Sequence, residues 1–296
     1  MNKLAIIIPA YKPSYLNDAL NSIASQTDKR FTVYIGDDAS PSNLRDIIEK
    51  YDDRIDIKYH RFKTNLGGKN LTAQWHRCID LSRGEQYIWL FSDDDLMEPE
   101  CVHHFYGTLE ENPEGELFHF NISCLDEHNG GKITSFPPFP QQLTAGEYLD
   151  MKFRGQLTSF VVEFIFSRDI YKRVNGFESF DLAWGSDFTT WIKMAASNPK
   201  GIITIQGKNC GVIWRASHQN ITPDVSRPIL VRKLKSLINN IAFIKSYMKC
   251  NPEPFLPYPF SFNYIKFPLG EIKRNHKFLS IKDMVTLLFY YLCKLR

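Results

Sequence analysis

The sequence predicts an α/β domain with a mostly parallel sheet flanked by helices. Short apolar runs recur at Leu4–Ile8, Phe31–Ile35, Ile55–Tyr59 and Tyr87–Phe91. The first is continuous rather than alternating, as a strand buried on both faces requires. Between the runs, apolar residues return every three or four positions, the period of a helix packed on one side. Three polar clusters directly follow strand ends: Pro9-Ala10-Tyr11, Asp37-Asp38 and Asp93-Asp94-Asp95. In such sheets ligands bind beyond the carboxyl ends of the strands, so the three clusters are expected to converge on one crevice.

The elements follow in order. Pro9 to Pro13 form a loop, and Leu16, Leu20, Ile23 and Ala24 mark the first helix. After the second strand, Leu44, Ile47 and Ile48 place a helix over Asn43–Tyr51. Another spans about Leu71 to Leu81, ahead of the fourth strand. Past about residue 105 the pattern loosens. "FPPFP" (136–140) is a stiff loop, Thr158–Ser167 and Ile202–Ile205 read as strands, and the Gly- and aromatic-rich stretch 175–187 leads into a helix marked by Phe188, Trp191, Ile192 and Ala195. From Pro228 the character changes. Leu230, Leu234, Leu237, Ile241, Ile244 and Met248 alternate spacings of four and three, with Ser226 as cap and Pro228 near the first helical position, an amphipathic helix. A Pro-rich connector (251–260) precedes a last helix over Ser280–Leu295. The chain divides into residues 1–225 and a helical, basic and aromatic extension, 226–296.

Composition excludes little but points somewhere. Apolar residues are 43% and charged residues 23%, ordinary for a soluble globular chain. The net charge of +3 is too small for a nucleic-acid binder. It is unevenly spread: from Lys266 onward seven Lys/Arg face two acidic residues. A basic tail on a slightly acidic body suggests an anionic partner, most simply a membrane surface, with core or dimer packing as the rival. The six cysteines are scattered without a Cys-x-x-Cys pair, which argues against a zinc site and fits a reducing compartment. The opening apolar run is too short for a signal peptide and no stretch reaches the length of a spanning helix. The expected location is the cytoplasm, at the inner face of the plasma membrane.

No GxGxxG follows the first strand, and a P-loop, HExxH and GxSxG are missing, setting aside dinucleotide dehydrogenases and several other classes. "FSDDDLMEP" (91–99) puts three like charges side by side. They resist burial together, so the cluster reads as a solvated turn, a general-base site or a metal site. "NLGGKN" (65–70) alone reads as a turn.

Seven segments in order carry a resemblance: "IIIPAYKPSYLNDALNSIASQT" (6–27), "YIGDDAS" (34–40), "NLGG" (65–68), "GEQYIWLFSDDDLMEP" (84–99), "NGF" (175–177), "GSDFTTWIKMA" (185–195) and "WRASHQNIT" (214–222). Over roughly residues 3–222 the chain resembles the family 2 glycosyltransferases, with the nucleotide-sugar-binding GT-A fold. "AQWHRCIDLSRGEQYIWLFSDDD" looks like the variant with Asn-Trp-x-Arg upstream of the metal motif, common among bacterial surface-polysaccharide enzymes.

The resemblance implies roles. Asp38 would accept a hydrogen bond from the nucleotide base, its alternative being a helix cap. Pro9, Ala10 and Tyr11 would frame the base, with Lys12 in place of the usual Asn. Asn65 and Lys69 join the nucleotide-sugar contacts, and Asp93 lies toward the ribose. Asp94 matches the metal-ligating Asp, for Mn²⁺ or Mg²⁺. Asp95 and His218 belong to the metal group, Asp95 otherwise capping the next helix or orienting Asp94. Asp187 matches the general base, with Ser186 where relatives carry Glu; helix capping is the alternative. Arg215 would pair with phosphate or form a salt bridge. The implied activity is inverting, metal-dependent transfer of a sugar, UDP-linked by preference, to a glycan or lipid-linked hydroxyl. A non-catalytic sugar-nucleotide-binding scaffold and a nucleotidyltransferase are the alternatives.

Overall fold

The computed structural model describes residues 2–217, 219–220 and 224–295. The chain opens β1 (Leu4–Ala10), α1 (Leu16–Ala24), β2 (Phe31–Asp37), α2 (Arg45–Ile48), β3 (Ile57–Arg61), α3 (Leu71–Ile79) and β4 (Tyr87–Leu90). It continues β5 (Leu96–Met97), α4 (Cys101–Glu111), β6 (Leu117–Phe120), β7 (Ile122–Asp126), β8 (Lys132–Ser135), β9 (Gln142–Leu143), α5 (Ala145–Phe153), β10 (Phe164–Ser167) and α6 (Arg168–Arg173). Last come α7 (Ser186–Ala196), β11 (Ile202–Ile205), β12 (Val212–Ala216), α8 (Arg227–Cys250), α9 (Phe262–Arg274) and α10 (Ile281–Leu295).

The main sheet has the order β3-β2-β1-β4-β10-β6-β11-β9. β3, β2, β1 and β4 are parallel, and β10 runs antiparallel between β4 and β6. Both faces are covered, which explains the unbroken apolar run of β1. Leu4, Ile6 and Ile8 pack with Leu16, Leu20 and Ile23 of α1 on one side. Ala5 and Ile7 pack with Trp75 and Ile79 of α3 and Trp191 of α7 on the other.

A smaller sheet, β5-β12-β7-β8, forms at the carboxyl edge of the first. It is absent from the expected elements, and so are α4, β6, α5, α6, β9 and α9. The expected strand over 158–167 is shorter: only Phe164–Ser167 is extended. The preceding residues turn, because Glu163 Oε1 accepts from the Phe160 amide (2.5 Å). The expected helix over 43–51 is a single α-turn (α2) continued as a 3₁₀ turn to Tyr51.

In the C-terminal segment, Ile244 and Met248 of α8 enter the same core cluster as Trp191 and Tyr148. Leu230, Leu234, Ile238 and Ile241 pack instead with Ile272, Leu287 and Tyr291 of α9 and α10. α8 also steadies the entry to α7. Ser236 Oγ donates to Trp184 O (2.9 Å) and Asn240 Nδ2 to Gly185 O (2.8 Å). Gly185 has φ +82° and a Cβ there would meet Asn240 Nδ2 at 2.8 Å, so both backbone and space require glycine. All six cysteines are free. Among the described residues no helix is long and apolar enough to cross a membrane.

Candidate active site

The three polar clusters meet. Asp38 N donates to Ala10 O (2.8 Å), joining the ends of β1 and β2. Ser40 Oγ donates to Tyr11 O (2.6 Å). Asp93 Oδ2, beyond β4, accepts from the Tyr11 and Lys12 amides (2.8 and 3.1 Å). Tyr11 itself is 40% exposed.

The Asp37-Asp38 pair divides its work. Asp37 is fully buried and accepts from Ser40 N (2.7 Å), Tyr59 Oη (2.6 Å) and Arg61 Nη1 (2.8 Å). Asp38 holds the "NLGG" loop: Oδ1 accepts from Leu66 N (2.7 Å) and from Arg77, and Oδ2 from Gly67 N (2.8 Å). Two donors on Oδ1 and one on Oδ2 leave an acceptor position on Oδ2. Gly67 permits this approach, since a Cβ would sit 2.8 Å from that oxygen. Arg77 also donates to Thr64 O (3.0 Å) and lies 3.8 Å from the Phe62 ring centre. Asn65 Oδ1 accepts from Gly68 N (3.0 Å), and Lys69 is exposed.

The triple Asp is equally divided. Asp95 is buried. Its Oδ1 accepts from Arg215 N (2.7 Å) and its Oδ2 lies 2.6 Å from Ser92 Oγ. Burial, then the neighbouring Asp94 charge, push its carboxyl well above the usual range. With both oxygens engaged inside the turn, it has the geometry of a support rather than an open ligand. Asp94 is half-buried; Oδ1 lies 2.9 Å from Ser92 Oγ and Oδ2 accepts from Asn220 Nδ2 (3.2 Å). Burial and the Asp94 charge push Asp93 to about 6, against the two amides that favour its anion.

Arg215 departs from the expected phosphate contact. It is buried, donates to Asp94 O (2.8 Å), pairs with Asp18 (3.1 Å) and Glu127, and lies 4.2 Å from the Tyr15 ring centre. Its guanidinium is committed to protein partners and clamps the aspartate turn to β12 and α1. Gln219, after β12, contacts the loop that follows β1: Lys12 Nζ donates to Gln219 O (2.5 Å) and Gln219 Nε2 to Ser14 Oγ (2.9 Å). His218 lies outside the described residues.

Asp187 occupies the first turn of α7, half-buried. Ser186 is buried, its Oγ accepting from Phe180 N (3.0 Å). Around Asp187 stands a group that the spacing of the sequence did not reveal. Lys152 Nζ donates to Ser159 O and Oγ (3.3 and 3.0 Å) and lies 5.7 Å from the ring centre of Phe188, the next residue after Asp187. Tyr148 Oη is 2.7 Å from Ser159 Oγ. Glu163 is fully buried with no partner for Oε2, and burial pushes it to about 8. Burial also raises Asp187, while amide contacts and the Lys152 charge hold it down. The loop 158–163 links the two halves. Phe160 stacks on Trp214 of β12 (4.4 Å between ring centres) and its carbonyl accepts from Trp191 Nε1 of α7 (3.2 Å).

A family model described as Glycosyl transferase family 2 matches residues 5–174, more than half of the chain. The chain belongs to that family. A poly(ribitol-phosphate) β-N-acetylglucosaminyltransferase of Staphylococcus aureus, TarS, is 33% identical over 116 residues, 38% of this chain and 20% of that protein. A GalNAc(5)-diNAcBac-PP-undecaprenol β-1,3-glucosyltransferase of Campylobacter jejuni is 24% identical over 202 residues, 66% of this chain and 60% of that one. The chain thus spans a fifth to three-fifths of these relatives. Among solved structures, S. aureus TarS 1–349 in complex with UDP-GlcNAc aligns with TM-score 0.62 at 15% identity, covering 99% of this chain and 88% of that one. The Pyrobaculum calidifontis mannosyltransferase PcManGT, in complex with GDP-Man and Mn²⁺, aligns with TM-score 0.58 at 13% identity, covering 99% and 81%. At such identity the likeness shows the fold, which is GT-A.

Proposed function

We propose that the chain is an inverting glycosyltransferase. It moves a sugar from a nucleotide-diphosphate donor, a UDP-sugar before others, to a hydroxyl of a glycan or lipid-linked acceptor in surface-polysaccharide synthesis. Residues 1–225 bind the donor and carry the chemistry; residues 226–296 form the helical extension, which contacts the cytoplasmic face of the membrane. The observation that carries the reading is the tie of Asp93 to the Tyr11 and Lys12 amides. It draws the strand-end loops into one crevice with Asp94 half-exposed beside it. The solved relative TarS in complex with UDP-GlcNAc supports the choice of donor.

The base of the nucleotide stacks against the Pro9–Tyr11 loop, and the open position on Asp38 Oδ2 accepts its imide N–H. Asn65 and Lys69 line the donor side, and Asp93 faces the ribose. Asp187 takes the proton of the acceptor hydroxyl as its oxygen attacks the anomeric carbon. The bond from that carbon to the diphosphate oxygen breaks with its electron pair on the diphosphate. Base and leaving group stand on opposite sides of the carbon, so one carboxylate suffices and the configuration inverts.

Among the described residues no group of three or more carboxylates, imidazoles or thiols stands together, so a hard divalent cation would rest on Asp94 and on oxygens of the donor's diphosphate. Each Asp94 oxygen keeps acceptor capacity beside its bond to Ser92 or Asn220, and a positive charge there would favour the anion of Asp93, which burial and then the Asp94 charge raise. Asp94 would hold the ion, Asp95 keeping the turn in place. At that position Mg²⁺ or Mn²⁺ would supply positive charge for the departing diphosphate.

The test is a thermal-shift series with UDP-, dTDP- and GDP-sugars, with and without Mn²⁺. A UDP-sugar is expected to raise Tm, more so with Mn²⁺, because a ligand bound only by the folded state stabilises it by RT ln(1 + [L]/Kd). In Asp94→Ala the metal-dependent part is expected to vanish. A wild-type protein indifferent to every donor, with and without metal, overturns the reading.

A further inference from the structure

α10 is where the fold leaves most apolar surface uncovered. One face, Leu287, Tyr291 and Leu295, is buried with Leu230, Leu234 and Ile238 of α8 and Ile272 of α9. On the other, Ile281 is 78% exposed, Val285 61%, Leu288 43%, Phe289 68% and Leu292 46%. Steps of four, three, one and three put these five on one continuous helical stripe. Scattered exposed apolar residues are ordinary, but a contiguous row marks an interaction surface.

The charges around the row say what covers it. Lys277, one turn before the row, and Lys282, at its border, are exposed. Between Lys266 and Leu295 the acidic residues are Glu271 and Asp283 alone, and both are spent in ion pairs, with Arg274 (2.7 Å) and Arg227 (2.5 Å). An apolar row bordered by lysines, with its carboxylates already neutralised, complements an apolar layer topped by anions. A second copy of α10 does not fit as well. Docking two such rows would bring Lys282 of both copies to one interface, and like charges there cost several-fold in affinity.

We infer that α10 lies in the headgroup layer of an anionic lipid bilayer, with Ile281, Val285, Leu288, Phe289 and Leu292 toward the acyl chains and Lys277 and Lys282 at the lipid phosphates. This deepens the membrane contact of the proposed function by naming the surface and the lipid charge, and it is independent of the donor chemistry.

Flotation of the full chain with vesicles, without donor or acceptor, tests it. Vesicles of phosphatidylglycerol and phosphatidylcholine are expected to carry the protein, pure phosphatidylcholine far less, and high salt to weaken the partition. Leu288→Glu with Phe289→Glu is expected to lower partition about tenfold or more. Lys277→Glu with Lys282→Glu is expected to remove the preference for anionic vesicles while circular dichroism stays unchanged. Both pairs are exposed, so the packed face of the helix is untouched. Wild-type protein left in solution, partition indifferent to both double variants, or a dimer by sedimentation velocity that the first variant abolishes without any vesicle binding, each overturns the inference. Protein that floats yet transfers no sugar keeps this inference and sinks the enzymatic reading instead.

Discussion

Asp187 carries opposing influences. Burial raises its carboxyl, while the amides at the start of α7 and the Lys152 charge lower it. A general base works only as the anion, so its pKa sets the acid limb of the rate profile. Lys152→Met removes one of the two lowering influences, and kcat/KM is expected to fall off at higher pH than in wild type, with donor affinity by thermal shift unchanged. An acid limb that stays in place takes Lys152 out of the site. Asp187→Asn is expected to keep donor binding and lose roughly a hundred- to ten-thousand-fold in kcat; near-normal turnover removes Asp187 from the role of base. Glu163 makes a separate prediction. Its ordinary value is 4.5 and burial raises it to about 8 in the folded chain. Between those values the folded state holds a proton that the unfolded state has released, so stability falls as pH rises through this window. Glu163→Gln keeps an oxygen for the Phe160 amide and cannot ionise. It is expected to flatten the decline of Tm between pH 5 and pH 8, a few degrees per recovered pair of kcal/mol. Parallel Tm profiles for variant and wild type refute the assignment.

At the scale of elements, Arg215 shows how a residue type can suggest one role and its placement another. A guanidinium next to an aspartate cluster suits a phosphate, yet here it is buried between Asp18, Glu127 and the carbonyl of Asp94. Arg215→Met is therefore expected to cost about 2–4 kcal/mol by urea unfolding, because charges and a carbonyl lose a shared partner. Weakened donor binding with stability intact would return Arg215 to the phosphate. β1, β2 and β4 were legible in the sequence because burial on both faces makes strands continuous and apolar. The three clusters beyond them were legible because strand ends in a parallel sheet share an edge. β5 and β9, two residues each, carry no period to read. α9 holds Pro268 in its interior, which argues against a helix until the tertiary fit is seen. Arg77 was visible within the segment resembling Asn-Trp-x-Arg, though not its bond to Asp38. Lys152 sits in α5, a helix the sequence spacing does not mark, and Glu163 in a stretch expected to be plain strand; the packing of α5 against Phe188 of α7 and the turn at 158–163 bring them to Asp187.

Across the whole molecule, the C-terminal helices belong to the same packing problem as the sheet. Ile244, Met248, Phe255 and Tyr264 are each at most 5% exposed and lie in the cluster that also holds Tyr148, Trp191 and Ile192. Removing everything after residue 225 would uncover that side of α5 and α7, directly behind Lys152 and Asp187. Each large apolar side chain withdrawn from burial costs about 1.5–3 kcal/mol. Four of them reach about 6–12 kcal/mol, comparable with the whole stability of an ordinary domain. Residues 1–225 alone are therefore expected to lack a cooperative thermal transition and to bind a hydrophobic dye, with far-UV dichroism partly retained. Removing only residues 276–296 spares those four contacts and the Ser236 and Asn240 bonds to the loop before α7. That shorter deletion is expected to keep a cooperative transition at lower temperature and to keep binding donor. A sharp calorimetric transition from residues 1–225 would instead make the extension an independent unit, and the support that α8 gives to the entry of α7 would be dispensable to the site.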